Sequence, residues 1–220
     1  MSQPPSVSGG SATALPGASL VDSPARFAVE KDPIALFARL FAEAQRVEPH
    51  DATAVALATA DASARPAVRM VLLKGVEADG FVFFTNYGSR KAQDLEQNPQ
   101  AALCFHWPNL GVQVRVEGAV RRESASGSDA YFQSRPRGSQ LSAWASQQST
   151  AMAGRETLLQ CYAAVCERFG EGPVPRPDFW GGYRLSPQRI EFWASQPYRL
   201  HDRLLYLRSD GGWQTTRLFP

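Results

Sequence analysis

Cysteine and histidine are scarce in this sequence, and neither is arranged for disulfides or for a metal. The 220 residues include three cysteines, Cys104, Cys161 and Cys166, and three histidines. An odd number of cysteines without a C-x-x-C pair predicts neither a disulfide framework nor a zinc site, and no H-E-x-x-H spacing occurs. Cys161 and Cys166 fall within an apolar helical pattern, so we expect them to pack in the core. The sequence therefore predicts no metal centre.

Long apolar runs and an excess of one charge are also missing. No apolar stretch approaches the roughly 20 residues that a membrane-spanning helix needs. The formal net charge of +2 is too balanced to indicate a nucleic-acid-binding protein. Residues 1–25 are rich in serine, proline and glycine and lack the basic start and apolar centre of a secretory signal, so they predict a disordered tail. We expect a soluble cytoplasmic protein with one folded domain over residues 26–220.

Familiar nucleotide and hydrolase motifs are missing as well. The sequence contains no G-x-G-x-x-G, no G-x-x-x-x-G-K-[ST] and no G-x-S-x-G. These absences disfavour a dinucleotide-binding Rossmann domain, a P-loop enzyme and an α/β-hydrolase, because each of those folds depends on its glycines for a particular turn.

Short runs of β-type residues dominate the folded part of the chain. Asp32 followed by Pro33 is typical of a helix start, since aspartate caps the first turn and proline fits its first position. Helical patterns return from about 126 to 170. The runs that predict strands are residues 53–60, 67–74, 81–86, 100–107 and 112–123, followed by YRLS, RIEFW, RLLYLR and WQTTRLF. Strands so closely spaced and joined by tight turns predict an α+β fold built on an antiparallel barrel with flanking helices.

Two basic segments are candidates for binding an anion. Arg90 and Lys91 follow a Gly-Ser pair where a strand gives way to a helix predicted over 90–97. Free main-chain N–H groups and the helix dipole favour anions at such a start, although a capping serine beside two solvated cations is the alternative. Arg69 and Lys74 bracket an apolar strand, whose alternation sends them to opposite faces. They could reach a ligand from two directions, or be charged strand ends at the rim of a barrel.

Two further segments combine basic residues with a hydroxyl or an imidazole. Tyr131 and Arg135 are four residues apart and would share a helix face, with Ser139 just beyond. Together they could form a phosphate cradle, since arginine grips an oxyanion with two parallel hydrogen bonds; a surface helix with a serine cap is the alternative. If residues 199–203 are extended, Arg199, His201 and Arg203 point the same way and favour a bound anion, although an exposed charged turn explains them equally well.

Aromatic and amide residues are weaker signals. Trp144, Trp180 and Trp193 are expected in the core rather than against a cofactor. Gln113 alternates with valines, so it is expected on the polar face of its strand, in solvent.

Taken together, these segments resemble the pyridoxamine 5′-phosphate oxidase family from about Asp32 to Pro220. The motifs that carry the resemblance are RMVLLK (69–74), FFTNYGSRK (83–91), YFQSRPRGSQLSAWASQQS (131–149), FWGGYR (179–184), IEFW (190–193) and RLHDRLLY (199–206). The resemblance implies a Greek-key-type split β-barrel that binds FMN, and a homodimer with FMN at the subunit interface. It also implies oxidation of pyridoxamine 5′-phosphate and pyridoxine 5′-phosphate to pyridoxal 5′-phosphate, with hydride transfer to the flavin and oxygen reduced to hydrogen peroxide.

The resemblance also assigns site residues by position. Those implied to hold FMN are Arg69, Met70, Val71, Leu72, Leu73, Lys74, Phe84, Thr85, Arg90, Lys91, Gln113, Gln148, Ser149, Trp193 and Arg203. Those implied to hold the substrate are Lys74, Tyr131, Arg135, Ser139, Arg199, Leu200 and His201, with Arg199 as the principal catalytic residue and His201 as its helper.

The sequence departs from the family pattern at the N-terminus. Family members often carry an Arg/Tyr segment there that covers the substrate, whereas the first arginine here is Arg26 and the first tyrosine is Tyr87. Two other readings stay open: a related flavin oxidase acting on another ring, such as a phenazine precursor, and a non-catalytic flavin- or pyridoxal-phosphate-binding protein. The phosphate cradle argues against the first of these, and the presence of Arg199 and His201 against the second.

Overall fold

The computed structural model describes residues 25–220, so the tail predicted over 1–25 lies, except for Ala25, outside the described residues. The helices are α1 (Pro33–Val47), α2 (Arg90–Gln97), α3 (Ala125–Ser134), α4 (Arg137–Ala145) and α5 (Arg155–Phe169). The strands are β1 (Ala54–Ala60), β2 (Pro66–Leu72), β3 (Gly75–Glu77), β4 (Gly80–Asn86), β5 (Gln100–Trp107), β6 (Val112–Arg122), β7 (Trp180–Ala194), β8 (Asp202–Ser209) and β9 (Gly212–Arg217).

All the strands form one antiparallel sheet in the order β2-β1-β5-β6-β7-β4-β3, with β8 added to β7 and β9 to β8. The two ends of that order meet where β2 passes into β3. There Leu73 N donates to Thr53 O at 2.8 Å, and Lys74 N donates to Val82 O at 2.8 Å. The sheet therefore rolls up on itself, with a split in its wall between β2 and β4. The α+β class with an antiparallel barrel and flanking helices, predicted from the sequence, is confirmed.

Strand β7 is the longest element of the sheet. It pairs with β6 along one edge, and with β4 and then β8 along the other. A register shift between Glu117 and Gly118 lets the strand bend near Pro187. The runs YRLS and RIEFW were predicted as separate strands, but they are one strand of 15 residues because this irregularity bends the ladder without ending it.

The barrel interior is filled by alternate residues of the strands and plugged by α1. Asp32 accepts a hydrogen bond from Ile34 N at 2.9 Å, which confirms the predicted helix cap. The buried face of α1 carries Phe37, whose ring meets Phe81 at 4.9 Å and Phe105 at 5.0 Å between centroids. Such aromatic pairs add stability beyond the apolar area they bury. This packing stabilises the barrel whose wall contains the split.

Helix α5 is less buried than its apolar helical pattern predicted. It buries none of its residues fully, and Cys161 is exposed, so the prediction that Cys161 packs in the core is wrong. The reason is that α5 lies on a small satellite cluster centred on Phe132 and Trp180 rather than on the barrel, and covers that cluster on one side only.

None of the described helices is long and apolar enough to cross a bilayer. Within residues 25–220 no group of three or more His, Cys, Asp or Glu side chains is placed to hold a metal ion.

The outward face of the sheet is continuous from β2 to β8. Cross-strand partners share a face, and the register pairs run Met70–Ala56, Ala56–Cys104, Cys104–Arg115, Arg115–Glu191 and Glu191–Leu205. On β2 this face is apolar and open, with Val68 70%, Met70 64% and Leu72 41% exposed. An apolar strand face left in solvent is typical of a surface that another protein covers.

Candidate active site

A cavity of about 320 Å³ lies in the split of the barrel. Strand β2 and Lys74, two residues beyond its end, form one wall. The other wall comes from β4, α2 and the α3–α4 region. The lining residues are Arg69, Met70, Val71, Leu72, Lys74, Phe84, Thr85, Lys91, Tyr131, Arg135, Gln148 and Trp180. Eleven of these twelve were predicted as site residues, and the exception is Trp180. Arg69 and Lys74 point to opposite faces of the chain. Both still line the cavity, because it lies at the edge of β2, where side chains from either face can reach it.

Lys91 is a buried cation without a carboxylate partner among the described residues. Its Nζ donates to Gln148 Oε1 at 2.7 Å, Thr85 Oγ1 at 3.1 Å and Ser89 Oγ at 3.2 Å, all of them neutral acceptors. Burial, with a contribution from the nearby Arg69 cation, lowers the pKa of Lys91 to about 8. A buried charge normally has an ionic partner, so this arrangement fits an anion bound beside Lys91.

The turn before α2 supports the same interpretation. Ser89 occupies the cap position but its hydroxyl makes no capping hydrogen bond and accepts from Lys91 instead. The alternative of a capping serine beside solvated cations is therefore wrong for Ser89 and Lys91, while Arg90 is exposed at the first position of the helix. The side chain of Lys91 folds back across the helix start, where main-chain dipoles add to its attraction for anions.

Arg69 lies on the same side of the cavity and contacts two elements, β1 and α2. Its Nη1 donates to Thr59 Oγ1 at 2.7 Å and to Leu57 O at 3.1 Å, and its Nη2 lies 3.6 Å from Asp94 Oδ2. Burial lowers the pKa of Arg69, the neighbouring Arg90 lowers it further, and Asp94 opposes both. Three cations, Arg69, Arg90 and Lys91, therefore face a single carboxylate here.

Arg135 marks a second cationic position, across an aromatic stack. Phe84 stacks on Tyr131 at 4.0 Å and on Trp180 at 5.5 Å between ring centroids, and the Arg135 guanidinium carbon lies 4.8 Å from the Trp180 ring. The Nη1 atom of Arg135 is buried with no hydrogen-bond partner in residues 25–220, and burial lowers the pKa of the group. A buried, unsatisfied guanidinium nitrogen in a cavity wall is placed to receive an anionic ligand.

The local geometry of this group differs from the prediction. Helix α3 ends at Ser134, and Arg135 is extended (φ −75°, ψ 146°), so Tyr131 and Arg135 do not share a helix face. Pro136 is the reason, because the residue before a proline is driven out of the helical region. Tyr131 and Arg135 still meet in the cavity, since the chain turns at this point. Ser139 lies in the first turn of α4 and is not among the lining residues.

Trp180 is a cavity residue that the sequence interpretation placed in the core. It is 7% exposed, but its ring lies against both Phe84 and Arg135 in the cavity wall. The signal that could have revealed it is the Gly181-Gly182 pair beside it. A Cβ atom on Gly182 would lie 2.9 Å from the Phe84 ring, so glycine is needed for the stack to close on the strand.

Four of the remaining predicted residues lie on or against the outward face of the sheet. Gln113 pairs with Trp193, and Trp193 with Arg203, in one row across β6, β7 and β8. The His201 ring lies 4.4 Å from Trp193, and its Nδ1 accepts from Gln196 N at 3.2 Å. That hydrogen bond places the proton of the neutral imidazole on Nε2. We call Gln113, Trp193, His201 and Arg203 the outer row.

The segment that carries Arg199 is a turn rather than a strand. A one-turn 3-10 helix spans Pro197–Arg199, Tyr198 and Arg199 have φ values of 56° and 61°, and β8 begins only at Asp202. The predicted alternation of Arg199, His201 and Arg203 along an extended chain is therefore wrong, because two left-handed residues redirect the backbone. Leu200 is 56% exposed in this turn.

Within one protomer the outer row and the Arg199 turn do not line the cavity. Arg203 instead donates to Glu191 Oε1 at 2.8 Å. Ser149 is exposed beside Gln148, with a φ of 74°. Leu73 points into the core, so a ligand contact from it would come from its main chain. The predicted site residues thus form two groups, one in the split and one on the outward face.

Two family models match the chain. Residues 41–165 match the model described as pyridoxamine 5′-phosphate oxidase, and residues 180–220 match the pyridoxine 5′-phosphate oxidase C-terminal dimerisation region. A pyridoxine/pyridoxamine 5′-phosphate oxidase of Anaeromyxobacter dehalogenans is 56% identical over 189 residues, covering 86% of this chain and 96% of that protein. Another, of Rubrobacter xylanophilus, is 54% identical over 191 residues, covering 87% and 88%.

Solved structures share the architecture. PhzG from Burkholderia lata, in complex with tetrahydrophenazine-1-carboxylic acid, is 33% identical with a TM-score of 0.82, covering 87% of this chain and 94% of that one. A pyridoxamine 5′-phosphate oxidase-related, FMN-binding protein from Nostoc punctiforme has a TM-score of 0.69 at 20% identity, covering 84% and 96%. The second is a likeness of fold alone.

Proposed function

The chain belongs to the pyridoxamine 5′-phosphate oxidase family, and we propose that it oxidises pyridoxamine 5′-phosphate and pyridoxine 5′-phosphate to pyridoxal 5′-phosphate, with FMN as cofactor and oxygen as electron acceptor. The observation that carries the proposal is the pair of cationic positions in one cavity. Lys91 and Arg69 form one, and Arg135 forms the other. In residues 25–220 the first position has only the Asp94 carboxylate, 3.6 Å from Arg69, and Lys91 and Arg135 have no carboxylate partner. A flavin phosphate and a substrate phosphate would satisfy them together.

The first position suits the cofactor. Lys91, Arg69 and the exposed Arg90 would hold the phosphate of FMN, with Thr85, Gln148 and Ser149 as neutral partners. Strand β2 is an end strand of the sheet, so main-chain groups of residues 69–72 on its free edge are available to a flat ring. When bound, FMN supplies the acceptor for two electrons, which oxygen then removes to give hydrogen peroxide.

The second position suits the substrate. Arg135 lines the cavity and is fixed by its stacking on Trp180, and its buried Nη1 has no partner in residues 25–220 that a ligand would have to displace. Lys74 and Tyr131 line the same cavity from its two walls, and Ser139 lies nearby in the first turn of α4. Together they would bind the substrate phosphate and so fix the ring to which it is attached, which converts binding energy into orientation.

The outward face suits a homodimer with FMN at the subunit interface. The matched C-terminal dimerisation region covers β7 to β9, and the open apolar face of β2 continues into that region. A second copy would then bring its outer row, which includes His201, to the split of the first. Its Arg199 and Leu200 would come with that row. Arg199 would orient the substrate beside the carbon that is oxidised, and His201 would help through its Nε2–H. The cytoplasmic location expected from the sequence stays a prediction.

A phenazine-type substrate is the second candidate, and the likeness to PhzG favours it. Two observations weigh against it. The relatives that are 54–56% identical are named for B6 phosphates, whereas PhzG is 33% identical. A substrate without a phosphate would also leave Arg135 Nη1 buried and unsatisfied, which costs about 1–3 kcal/mol.

We expect the purified protein to be yellow, or to become yellow on addition of FMN, and to convert pyridoxine 5′-phosphate to pyridoxal 5′-phosphate with uptake of oxygen. Absorbance at the flavin band and an oxygen electrode measure the two properties. A protein that gains no flavin absorbance would refute the flavin assignment. A yellow protein that oxidises a tetrahydrophenazine carboxylate but no B6 phosphate would favour the second candidate.

We expect the affinity for FMN to fall as pH rises above about 8. Lys91 has a pKa of about 8 in the free protein, and a neighbouring phosphate dianion favours its protonated form, so binding above pH 8 requires uptake of a proton. The limit is about a tenfold loss of affinity per pH unit. Arg69, Arg90 and Asp94 are the other charged groups at this end of the cavity. The phosphate, whose second pKa is about 6, stays a dianion from pH 7.5 to 9.5.

Flavin fluorescence titrations from pH 7.5 to 9.5 test this dependence. Lys91→Met is expected to bind FMN more weakly at every pH and to lose the slope. Riboflavin, which lacks the phosphate, serves as the matched ligand and is expected to bind independently of pH. A slope that persists in Lys91→Met would assign the titration to another group.

A further inference from the structure

A chain of hydrogen bonds behind the cavity joins Arg69 to two buried residues that no motif singled out. Thr59, on β1, is 4% exposed, and Asp94, on α2, is 6% exposed. Arg69 Nη1 donates to Thr59 Oγ1 at 2.7 Å, and Thr59 Oγ1 donates to Asp94 Oδ2 at 2.6 Å. Neither Thr59 nor Asp94 lines the cavity, so neither is placed to touch a ligand there, whereas Arg69 is.

The direction of this relay is fixed by chemistry. A hydroxyl has one hydrogen, and a carboxylate is an acceptor only. Because the Thr59 hydrogen goes to Asp94, the lone pairs of its oxygen face Arg69 Nη1. The carbonyls of Leu57 and Ala67 accept from the same nitrogen at 3.1 and 3.2 Å. All three hydrogen bonds of the guanidinium are therefore made through Nη1.

The rest of the guanidinium is only partly engaged, through an ion pair between Nη2 and Asp94. None of the described residues accepts a hydrogen bond from Arg69 Nε or Nη2, and the Asp94 carboxylate is 3.6 Å from Nη2, beyond hydrogen-bond range. Arg90 and Lys91 lie on the same side and repel the guanidinium. Without the hold on Nη1, this repulsion would move the side chain away from the cavity.

We propose that Thr59 and Asp94 are positioning residues that hold the Arg69 guanidinium in place for the phosphate of the flavin. The proposal rests on the proposed function, because it takes the phosphate beside Lys91 to belong to FMN. It predicts an effect on phosphate recognition alone, since the flavin ring would contact other residues of the cavity.

The test compares FMN with riboflavin in two variants that conserve charge. Thr59→Val keeps the shape of the side chain and removes the hydroxyl, whereas Thr59→Ser keeps the hydroxyl. We expect Thr59→Val to raise the Kd for FMN about tenfold, the effect of weakening one hydrogen bond to a charged group. The Kd for riboflavin is expected to stay unchanged, and Thr59→Ser to restore the wild-type ratio of the two Kd values. Equal changes for both flavins, or no change, would overturn the proposal.

A double-mutant cycle with Arg69→Met shows whether Thr59 acts through Arg69. If it does, Thr59→Val has no further effect on FMN binding in the Arg69→Met protein, and additive losses would contradict the proposal. Asp94→Ala provides an independent measurement if Thr59→Val does not fold. Loss of its negative charge alone would tighten phosphate binding, so weaker FMN binding supports the positioning role and tighter binding overturns it for Asp94.

Wild-type measurements keep this proposal separate from the proposed function. A wild-type protein that binds neither flavin would remove the flavin function itself. A wild-type protein that binds riboflavin as tightly as FMN and still oxidises the substrate would overturn only the phosphate position beside Arg69 and Lys91.

Discussion

Replacement of Arg135 by alanine is expected to raise the KM for pyridoxine 5′-phosphate by about 100-fold and to change kcat much less. The buried Nη1 of Arg135 has no partner in residues 25–220, and its guanidinium is fixed over Trp180. Hydrogen bonds to a charged group contribute roughly 1.5–3 kcal/mol each, and about 2.7 kcal/mol corresponds to a factor of 100. Arg135 would contact the phosphate and not the carbon that is oxidised, so its loss weakens ground-state and transition-state binding alike.

Steady-state kinetics at fixed FMN and oxygen measure this effect, and two variants sharpen it. Arg137→Ala removes a neighbouring arginine whose side chain donates to Gly170 O and Gly172 O outside the cavity, and it should leave the KM near the wild-type value. Arg135→Lys keeps the charge but loses the planar stack on Trp180, so an intermediate KM is expected. If Arg135→Ala weakens FMN binding more than substrate binding, the arginine belongs to the cofactor phosphate instead.

Replacement of Arg199 by alanine is expected to slow the oxidation step itself by about 100-fold. Arg199 and Tyr198 are held at φ values of 61° and 56°, a region that costs non-glycine residues roughly 1–3 kcal/mol. The surrounding turn therefore fixes the backbone and directs the side chain outward, where a second copy would meet it. Loss of an orienting group next to the reacting carbon misplaces the substrate, and a misplacement of about 1 Å costs on the order of 100-fold.

Anaerobic single-turnover experiments, which follow bleaching of the flavin absorbance as a function of substrate concentration, separate this effect from binding. The limiting rate is expected to fall in Arg199→Ala, and the apparent Kd for the substrate to rise only a few-fold. Arg199→Gly removes the same side chain and relaxes the backbone, so an equal loss in both variants assigns the effect to the guanidinium. A purely binding effect, equal to that of Arg135→Ala, would contradict the division of roles between the two arginines.

The two arginines also show how far the sequence interpretation reached. Both were predicted as site residues, but the geometry predicted for each was wrong. Arg135 was placed on a helix face, and Pro136 ends the helix before it. Arg199 was placed on an extended chain, and a left-handed turn carries it. In both cases the residue was predicted because an arginine can bind an anion. A proline after Arg135 and left-handed residues at the Arg199 turn gave each arginine a different backbone geometry.

The sequence by itself determined most of the order of strands and helices, the barrel class, the family, and the residue types proposed to bind phosphate. These follow from periodicity, from turn residues and from motifs, which are local properties of the chain. It did not determine that Lys91 would be buried beside neutral acceptors, or that Trp180 would fix Arg135. Nor did it reveal that Thr59 and Asp94 would hold Arg69.

Only the tertiary structure decided these points. Alternation along a strand shows which face a residue occupies but not which other element lies against that face. Lys91 is buried because residues near 148 close over α2, and Thr59 meets Asp94 because the barrel brings β1 next to that helix. The outer row was predicted beside the cavity residues, yet in one protomer it lies outside the cavity. The reason is that β2 and β8 lie at separate places along the rolled sheet, so only a second copy could join the two groups.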